Sequence, residues 1–370
     1  MKKAKLGSAQ RAAHSSICDF EDFRDAVSAY RLPRILISAL ELDLFTVMGG
    51  RVWTIPTLAR RLRASRRGLD ILCRNLACVG LLKKQGNGYR NGPLGSGELN
   101  AKSPQYRGAY LRLLKNHWAD WSHLTEQVRS GKPLEDDEPD AVAYRREFTW
   151  AMHHRSMEVA PKVAAQVDIG GTKTFLDLGG GPGTYALAFL AQNPRLRATV
   201  ADRTPALEVA REIAAGVPQG KRLSYVPVDF VKQPIPGKYD VIWYSNVLHI
   251  YSPEENRQVF RRAAAALNPG GRLLIQDAFL LDADGLYPQE ANLFAVTMLL
   301  FTERGNTYGI RETTTWLRLA GFARVGPVRL RAGTGDWEGG ILEAVLPSRR
   351  QGTRARRGRS TRNSPARSRR

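Results

Sequence analysis

The histidine His249 follows an apolar run and precedes the start of a helix in the segment 245–254, SNVLHIYSPE. A neutral imidazole can take a proton from a hydroxyl group as that oxygen attacks, so this histidine is a candidate general base. The helix has its own start signal, because Ser252 is followed by proline and then by Glu255 at the third helical position, a capping box. His249 is therefore not needed as a cap. Two alternatives remain: a residue that only positions a substrate, and a structural histidine in a turn.

A second candidate site is the glycine-rich segment 177–183, DLGGGPG, which begins with Asp177. Gly179 and Gly181 let the backbone turn tightly and approach a ligand without Cβ atoms in the way, just before a helix N-terminus. A dinucleotide loop of the form G-x-G-x-x-G would need glycine where Thr184 stands, and Pro182 lacks an amide that a pyrophosphate would use. The loop is a weak signal by itself, and it disfavours a dinucleotide.

Acidic residues end the next two apolar runs. Asp202 stands 23 residues after Gly179, where a carboxylate can accept both hydroxyls of a ribose. Asp229 and Phe230 end the following run, an acid and an aromatic ring suited to the amino group and the face of adenine. The alternative for both acids is helix capping or turn formation. Together with the glycine loop, they predict an adenosine-like ligand without a pyrophosphate.

These residues follow apolar runs that alternate with helical patterns from residue 174 onward, which predicts a doubly wound, mostly parallel α/β sheet of the Rossmann-like class. Two further runs, 323–331 and 340–346, are separated only by a turn and should pair as an antiparallel hairpin at one edge. The predicted strands are 174–178, 198–202, 223–228, 240–245 and 272–277, and the predicted helices are 184–193, 205–215 and 253–267.

The chain from about 20 to 104 has a different pattern, in which a helix, a turn, a second helix and a hairpin predict a winged helix. Thr54 is a candidate cap for a helix that ends at Leu62, and Ser65 is a candidate cap for the next. Two short strands flank the turn 86–88, GNG, a strong hairpin signal. Winged helices bind DNA or form dimers. The second helix carries Arg66, but arginines on a helix are usually a solvated face, and we expect dimerisation.

Bulky residues between 105 and 170 predict a helical cap over the sheet, and a further helix is predicted over 290–302. Most such residues pack in a core, and some line a pocket. They favour a flat, apolar substrate, aromatic or derived from a polyene. No metal site is expected, since the histidines and acids show no ligand pattern. The candidate pocket residues are Trp118, Phe148, Met152, Asn292, Phe294 and Met298.

Several motifs in the same order resemble the S-adenosylmethionine-dependent O-methyltransferases of the caffeic acid, acetylserotonin and hydroxyneurosporene type. The motifs are FLDLGGGPGTYALAFLAQNP, VDF, YDVIWYSNVLH, ALNPGGRLLIQDAFL and WLRLAGF. The resemblance runs from about 20 to 346 and includes the winged helix, which is a dimerisation domain in that family. It implies a homodimeric enzyme with S-adenosylmethionine as cofactor and a small-molecule acceptor.

The resemblance also implies roles for individual residues. The loop from Asp177 through Gly179 and Gly181 would border the methionine part of the cofactor, Asp202 would hold the ribose, and Asp229 with Phe230 would hold the adenine. Ser245 and Asn246 would lie beside the cofactor.

His249 matches the catalytic base of that family, but the acid partner of the base is not found where the family has it. The base lies in a segment L-H-D-W, and here Ile250 and Tyr251 replace the Asp and Trp. Thr307 stands where the family has a glutamate that orients the base. Glu290 and Glu303 are candidate substitutes.

Charge and composition set the remaining limits. The net charge is +21, but ten arginines and no acid lie in 349–370, which we expect to be a disordered tail, and 1–19 is a basic, flexible N-terminus. The methyltransferase domain would span 105–348, with its cap at 105–170. No segment approaches the roughly 18 apolar residues that span a bilayer, and three cysteines without a CxxC pair suit the cytoplasm.

Three functions remain open from the sequence. The first is O-methylation of a small hydroxylated secondary metabolite. The second is C- or N-methylation of a related apolar metabolite, for which the missing acid matters less. The third is a winged-helix protein that binds DNA and senses S-adenosylmethionine, although no nucleic-acid partner is expected.

Overall fold

A computed structural model describes residues 16–134, 141–328 and 340–348. The predicted tail at 349–370 and most of the basic N-terminus predicted over 1–19 lie outside the described residues. Within them the architecture predicted from the sequence is confirmed: a helical domain with a small sheet comes first, then a group of helices, and then a large, mostly parallel sheet.

The first domain is a helix–turn–helix with a hairpin, as predicted. Ser65 caps the second of the two helices, its Oγ accepting a hydrogen bond of 3.2 Å from the Gly68 amide. Thr54 stands at the cap position of the first helix, but its hydroxyl bonds the Thr57 hydroxyl at 2.9 Å instead of a backbone amide. The elements are α1 (Phe20–Ser28), α2 (Arg31–Glu41), α3 (Leu44–Met48), β1 (Trp53–Thr54), α4 (Ile55–Leu62), α5 (Arg66–Cys78), β2 (Leu82–Gln85), β3 (Gly88–Asn91) and α6 (Pro93–Ser96).

The strands of this domain form an antiparallel sheet in the order β1-β3-β2. Its core is apolar and includes Phe45, Met48, Leu69 and Leu76, all of which are buried. The helices that follow are α7 (Gly108–Asp120), α8 (Leu124–Ser130), α9 (Ala141–Ser156) and α10 (Val159–Ala164). They occupy the region predicted to cap the sheet.

The large sheet has seven strands in the order β6-β5-β4-β7-β8-β10-β9. The first five strands in this order run parallel, and β10 pairs antiparallel with both of its neighbours, β8 and β9. The predicted edge hairpin is thus confirmed, and the strand predicted from residue 272 begins at Leu267. Its elements are β4 (Thr174–Leu178), α11 (Thr184–Gln192), β5 (Arg197–Asp202), α12 (Thr204–Ala215), β6 (Leu223–Pro227), β7 (Tyr239–Ser245), α13 (Pro253–Ala266), β8 (Leu267–Asp277), α14 (Gln289–Phe301), α15 (Ile310–Leu319), β9 (Arg324–Pro327) and β10 (Gly340–Val345).

Helices cover both faces of this sheet. Side chains of α10, α11 and α12 pack on one face, where Phe175, Phe189 and Trp243 are fully buried. Side chains of α13 and α15 pack on the other face, where Tyr244 and Phe260 are fully buried. Because both faces are covered, the strands are nearly continuous apolar runs, the pattern from which the parallel sheet was predicted. In the part of the chain that the structure describes, no helix is long and apolar enough to cross a membrane.

The segment between β7 and α13 is held in place by Asn256, which is fully buried on α13. Its side-chain amide donates hydrogen bonds to the carbonyl oxygens of Leu248 and Tyr251, both at 2.9 Å, and of Ser252 at 3.1 Å. Its oxygen accepts a bond of 3.3 Å from the hydroxyl of Tyr244. The predicted capping box at Ser252 is also formed. This short segment, which contains His249, therefore has a defined backbone.

We expect Asn256→Ala to lower the free energy of unfolding by about 2 to 3 kcal/mol, because the Leu248 carbonyl loses its donor and the buried Tyr244 hydroxyl loses its acceptor. Gln258→Ala, two residues away on the same helix, is the control and should change stability by less than about 0.5 kcal/mol. Urea denaturation of both variants measures the difference, and equal stability of the two would contradict the role given to Asn256.

Candidate active site

The carboxyl ends of four neighbouring strands bring the predicted site residues to one edge of the sheet. The strand order β5-β4-β7-β8 places Asp202, Asp177, Ser245 and Asp277 at the ends of adjacent parallel strands. In open α/β sheets this edge is where ligands bind. Four separate stretches of sequence therefore meet in one place.

The glycine loop after β4 has a backbone that favours glycine. Gly179, Gly181 and Gly183 have φ angles of 69°, 48° and 68°. A Cβ atom on Gly179 would lie 2.9 Å from a methyl group of Val247, too close for a real contact, whereas one on Gly181 would meet no atom within 4 Å. The loop thus packs closely on one side and presents bare backbone to open space at Gly181, which fits the approach of a ligand.

Asp177 is buried beneath this loop. Its carboxylate accepts a hydrogen bond of 3.1 Å from the amide of Ala186 in the first turn of α11. Burial raises the pKa of Asp177 from an ordinary value of 3.8 to about 7, and the bond from Ala186 opposes the rise. The residue therefore anchors the helix to the end of β4 and resists ionisation.

Asp202 joins the end of β5 to the same loop. One of its carboxylate oxygens accepts a hydrogen bond of 2.8 Å from the Gly181 amide, and the other accepts one of 2.7 Å from the Arg203 amide. Burial raises its pKa, and the two backbone bonds lower it. The residue as a whole is half-buried, beside the bare face of the glycine loop.

Asp229 and Phe230 follow β6. The geometry there is compatible both with turn formation and with binding of a ligand. Asp229 accepts a hydrogen bond of 3.2 Å from the amide of Val231, as a turn-forming acid does. Phe230 is buried, with its ring edge-on to the rings of Tyr244 and Tyr251 at 6.3 and 6.0 Å. Its ring tip also lies 3.2 Å from the position a Cβ on the first loop glycine would take.

Ser245 and Asn246 belong to a hydrogen-bond network at the end of β7. Asn246 has a φ angle of 55°, which is uncommon outside glycine, and its amide donates to the carbonyl of Gln276 at 2.9 Å. Its side chain donates to the Ser245 hydroxyl at 2.9 Å, and that hydroxyl donates to the Gln276 side-chain oxygen at 3.1 Å. The unusual backbone is thus held from two sides.

His249 is paired with an acid, Asp277, at the end of β8. Its Nδ1 lies 2.8 Å from a carboxylate oxygen of Asp277, and both side chains are buried. A carboxylate only accepts, so Nδ1 carries the proton and Nε2 is the ring nitrogen with a free lone pair. Within the described residues no hydrogen bond involves Nε2. The amide of Ala278 donates to the same oxygen of Asp277 at 2.8 Å, which fixes the acid.

The sequence had left this partner unidentified. Glu290 and Glu303 were the candidates, but the acid that bonds His249 is Asp277, and Glu303 is exposed. Thr307 is buried and takes no part in the bond. The signal was present in the run 272–277, RLLIQD, which ends in an acid as do the runs before Asp177 and Asp202. Asp277 can be recognised as the partner of His249 only because the structure shows that β7 and β8 are adjacent.

The candidate pocket residues lie at different distances from this pair. Phe294 on α14 is in contact, its ring edge-on to His249 with centroids 4.6 Å apart. Trp118 lies under the guanidinium of Arg34, 5.6 Å away on α2, and is 37% exposed. Met298 is buried, Asn292 and Met152 are half-buried, and Phe148 is exposed.

Two cavities of about 230 and 370 Å³ lie away from this pair. They share Tyr106 and Arg112, between the first domain and the helices α7 and α9, and His249 lines neither. Among the described residues no group of histidines, cysteines and acids is arranged to hold a metal ion.

Comparison with known proteins finds family models that match both domains of this chain. An O-methyltransferase domain model matches residues 121–323, and an O-methyltransferase dimerisation domain model matches residues 25–99. A 3-hydroxy-5-methyl-1-naphthoate 3-O-methyltransferase from Streptomyces sahachiroi is 31% identical over 301 residues, covering 80% of this chain and 87% of that enzyme.

Solved structures agree on the fold. An O-methyltransferase family protein from Burkholderia thailandensis aligns with a TM-score of 0.79 and 26% identity, covering 90% of this chain and 99% of that one. Human N-acetylserotonin methyltransferase, solved with S-adenosylmethionine, aligns with a TM-score of 0.76 and 23% identity, covering 90% and 100%. The chain therefore belongs to the S-adenosylmethionine-dependent O-methyltransferase family, with the catalytic and dimerisation domains of that family.

Proposed function

We propose that this enzyme methylates a phenolic hydroxyl of a flat, aromatic secondary metabolite, with His249 as the general base and Asp277 as the residue that orients it. The observation that carries this proposal is the buried hydrogen bond of 2.8 Å between them, next to the aromatic ring of Phe294. A related enzyme that acts on a hydroxy-naphthoate supports an aromatic acceptor.

The residues at the sheet edge fit the cofactor. Bare backbone at Gly181 leaves room for the methionine part, and the half-buried Asp202, whose carboxylate bonds the Gly181 amide, suits ribose hydroxyls. Asp229 and Phe230 would hold the adenine, and Ser245 and Asn246 would border the reacting end. When bound, S-adenosylmethionine supplies a methyl group on a cationic sulfur for in-line displacement.

The protein contributes alignment and proton transfer. Asp277 holds the proton on Nδ1 of His249, which leaves Nε2 to accept the acceptor's hydroxyl proton as that oxygen attacks. The carboxylate then stabilises the imidazolium that forms. Phe294 against the imidazole ring and the surrounding apolar side chains exclude water and hold a flat ring. Most of the rate enhancement comes from positioning, because the methyl group already has a good leaving group.

We also propose the domain roles. Residues 20–104 would form the dimerisation domain of a homodimer, and 105–348 the catalytic domain, with the cap at 105–170. The match to a dimerisation domain and the exposed apolar residues of α1, such as Phe20 at 79% exposure and Phe23 at 50%, support the dimer. A cytoplasmic location agrees with three cysteines that form no disulfide.

We expect His249→Ala to lower kcat about 100-fold or more and Asp277→Asn to lower it about 10- to 100-fold. The double variant should be no slower than His249→Ala, since the two residues act as one unit. Steady-state kinetics with a hydroxy-naphthoate acceptor measures this. The control is Glu303→Gln, which removes an exposed acid and should leave kcat within about twofold. Additive effects of the two active-site changes would contradict the pairing.

Asp202→Ala should weaken S-adenosylmethionine binding at least tenfold, about 1.4 kcal/mol, because the ribose loses an acceptor. Isothermal titration measures the dissociation constant. Asp25→Ala is the control, because Asp25 is an exposed acid on α1 with no place in the site. An unchanged affinity in Asp202→Ala would reject the ribose assignment.

The raised pKa of Asp177 makes the stability of the folded protein depend on pH. Its folded pKa of about 7 lies above the ordinary 3.8, so the folded protein keeps a proton that the unfolded chain loses. This contribution is complete below about pH 4 and falls as pH rises towards 7, by at most about 1.4 kcal/mol per pH unit. Asp177→Asn cannot titrate. Its free energy of unfolding minus that of the wild type should rise between pH 5 and 7 and level off above, as measured by urea denaturation; a flat difference would refute the raised pKa.

A further inference from the structure

The winged-helix domain carries a strongly cationic surface that methyl transfer does not use. Residues 51–91 contain ten lysines and arginines and one acid, Asp70, a net charge of +9 (ten minus one). All ten cationic side chains are exposed. They are Arg51, Arg60, Arg61, Arg63, Arg66, Arg67, Arg74, Lys83, Lys84 and Arg90. We refer to these ten residues as the basic surface.

Almost none of this charge is neutralised within the chain. The basic surface has one ion pair in the described residues, between Arg74 and Asp70 at 3.2 Å, and both side chains are about half exposed, so the pair is weak. Lys84 also lies 5.9 Å from the ring centre of Tyr89. A solvated face of mixed charge, the ordinary state of exposed arginines, would show acids interspersed among them. Here like charges stand together, which favours an anionic partner.

The positions of the charges match a nucleic-acid duplex. Arg66 and Arg67 begin α5, the second helix of the helix–turn–helix, and Lys83 and Lys84 lie on the hairpin that follows it. In helix–turn–helix proteins the second helix enters the major groove of DNA while neighbouring elements contact the backbone. One guanidinium group can bind two oxygens of a phosphate at once. Cations are therefore placed both on the helix that would enter the groove and on the hairpin next to it.

A protein partner fits this surface less well. Protein interfaces have an apolar centre with aromatic anchors, whereas nucleic-acid interfaces are polar and positively charged. Between 51 and 91 the exposed large apolar residues are Val52 and Ile71, and Tyr89 is buried. If α5 and the hairpin met the same elements of a second copy of the chain, their like charges would repel each other. The exposed aromatic residues lie elsewhere, on α1 and on the helices near Trp118.

We propose that α5 and the hairpin of the winged-helix domain bind the phosphate backbone of double-stranded nucleic acid, independently of methyl transfer. The sequence alone had favoured a solvated helix face and no nucleic-acid partner. The cations of the basic surface contact phosphates of the nucleic acid, so binding depends strongly on salt and little on base sequence.

The test measures binding of the full chain to a labelled DNA duplex of about 20 base pairs by fluorescence anisotropy, between about 50 and 200 mM salt. The variant Arg66→Gln, Arg67→Gln, Lys83→Gln removes three cations of the basic surface. The matched control Arg195→Gln, Lys221→Gln, Arg318→Gln removes three exposed cations of the other domain. The arginine-rich tail is present in all three proteins, so its contribution cancels.

We expect the first variant to bind at least tenfold more weakly and to lower the slope of log K against log salt by about 2 to 3, since each phosphate that is no longer neutralised removes about 0.9 from the slope. The control should stay within about twofold of the wild type, and both variants should keep the wild-type methyl-transfer rate. Equal weakening in both variants, or no weakening in either, would overturn the proposal. Stronger competition by polyglutamate than by unlabelled duplex of equal charge would also overturn it, in favour of an acidic protein.

Discussion

A carboxylate that is wholly or partly buried at the end of a strand needs hydrogen-bond donors, and this requirement organises the candidate active site. Three parallel strands end in such acids, and each acid holds a different part of the site. Asp177 holds the first turn of α11, Asp202 holds the glycine loop at Gly181, and Asp277 holds the imidazole of His249. Because each bond joins a strand end to a neighbouring segment, the glycine loop and the histidine are fixed to the same rigid sheet.

This arrangement separates two tasks. In the proposed function the end of the sheet holds the groups suited to the cofactor and the base, on short segments that side-chain hydrogen bonds tie in place. In the proposed function the helices above it, α9 and α14, supply side chains such as Met152 and Phe294 towards the acceptor. Acceptor specificity can therefore change through helix residues other than Phe294, which contacts the imidazole, without altering the pair formed by His249 and Asp277. Of the three functions that the sequence left open, the family membership decides for O-methylation.

The winged helix shows how one scaffold can carry separate functions. Its buried side, with Phe45 and Leu76 in the core, builds the domain, while its exposed side carries charge that the fold does not need. The apolar residues left exposed on α1, Phe20 and Phe23 among them, lie outside the basic surface. The proposed phosphate binding uses the exposed cations of the domain and does not require the catalytic edge of the sheet.

The sequence by itself determined the elements and their order. Apolar runs, a glycine loop and a capping box at Ser252 are local signals, because strands, turns and caps depend on residues close in the chain. The sequence could also propose His249 from its place after a strand. It could not identify Asp277 as its partner, 28 residues away, since that pairing exists only because β7 and β8 are adjacent in the sheet. Nor could it reveal that nine of the ten cations of the basic surface have no ion pair in the described residues, because ion pairing depends on which side chains the fold brings together.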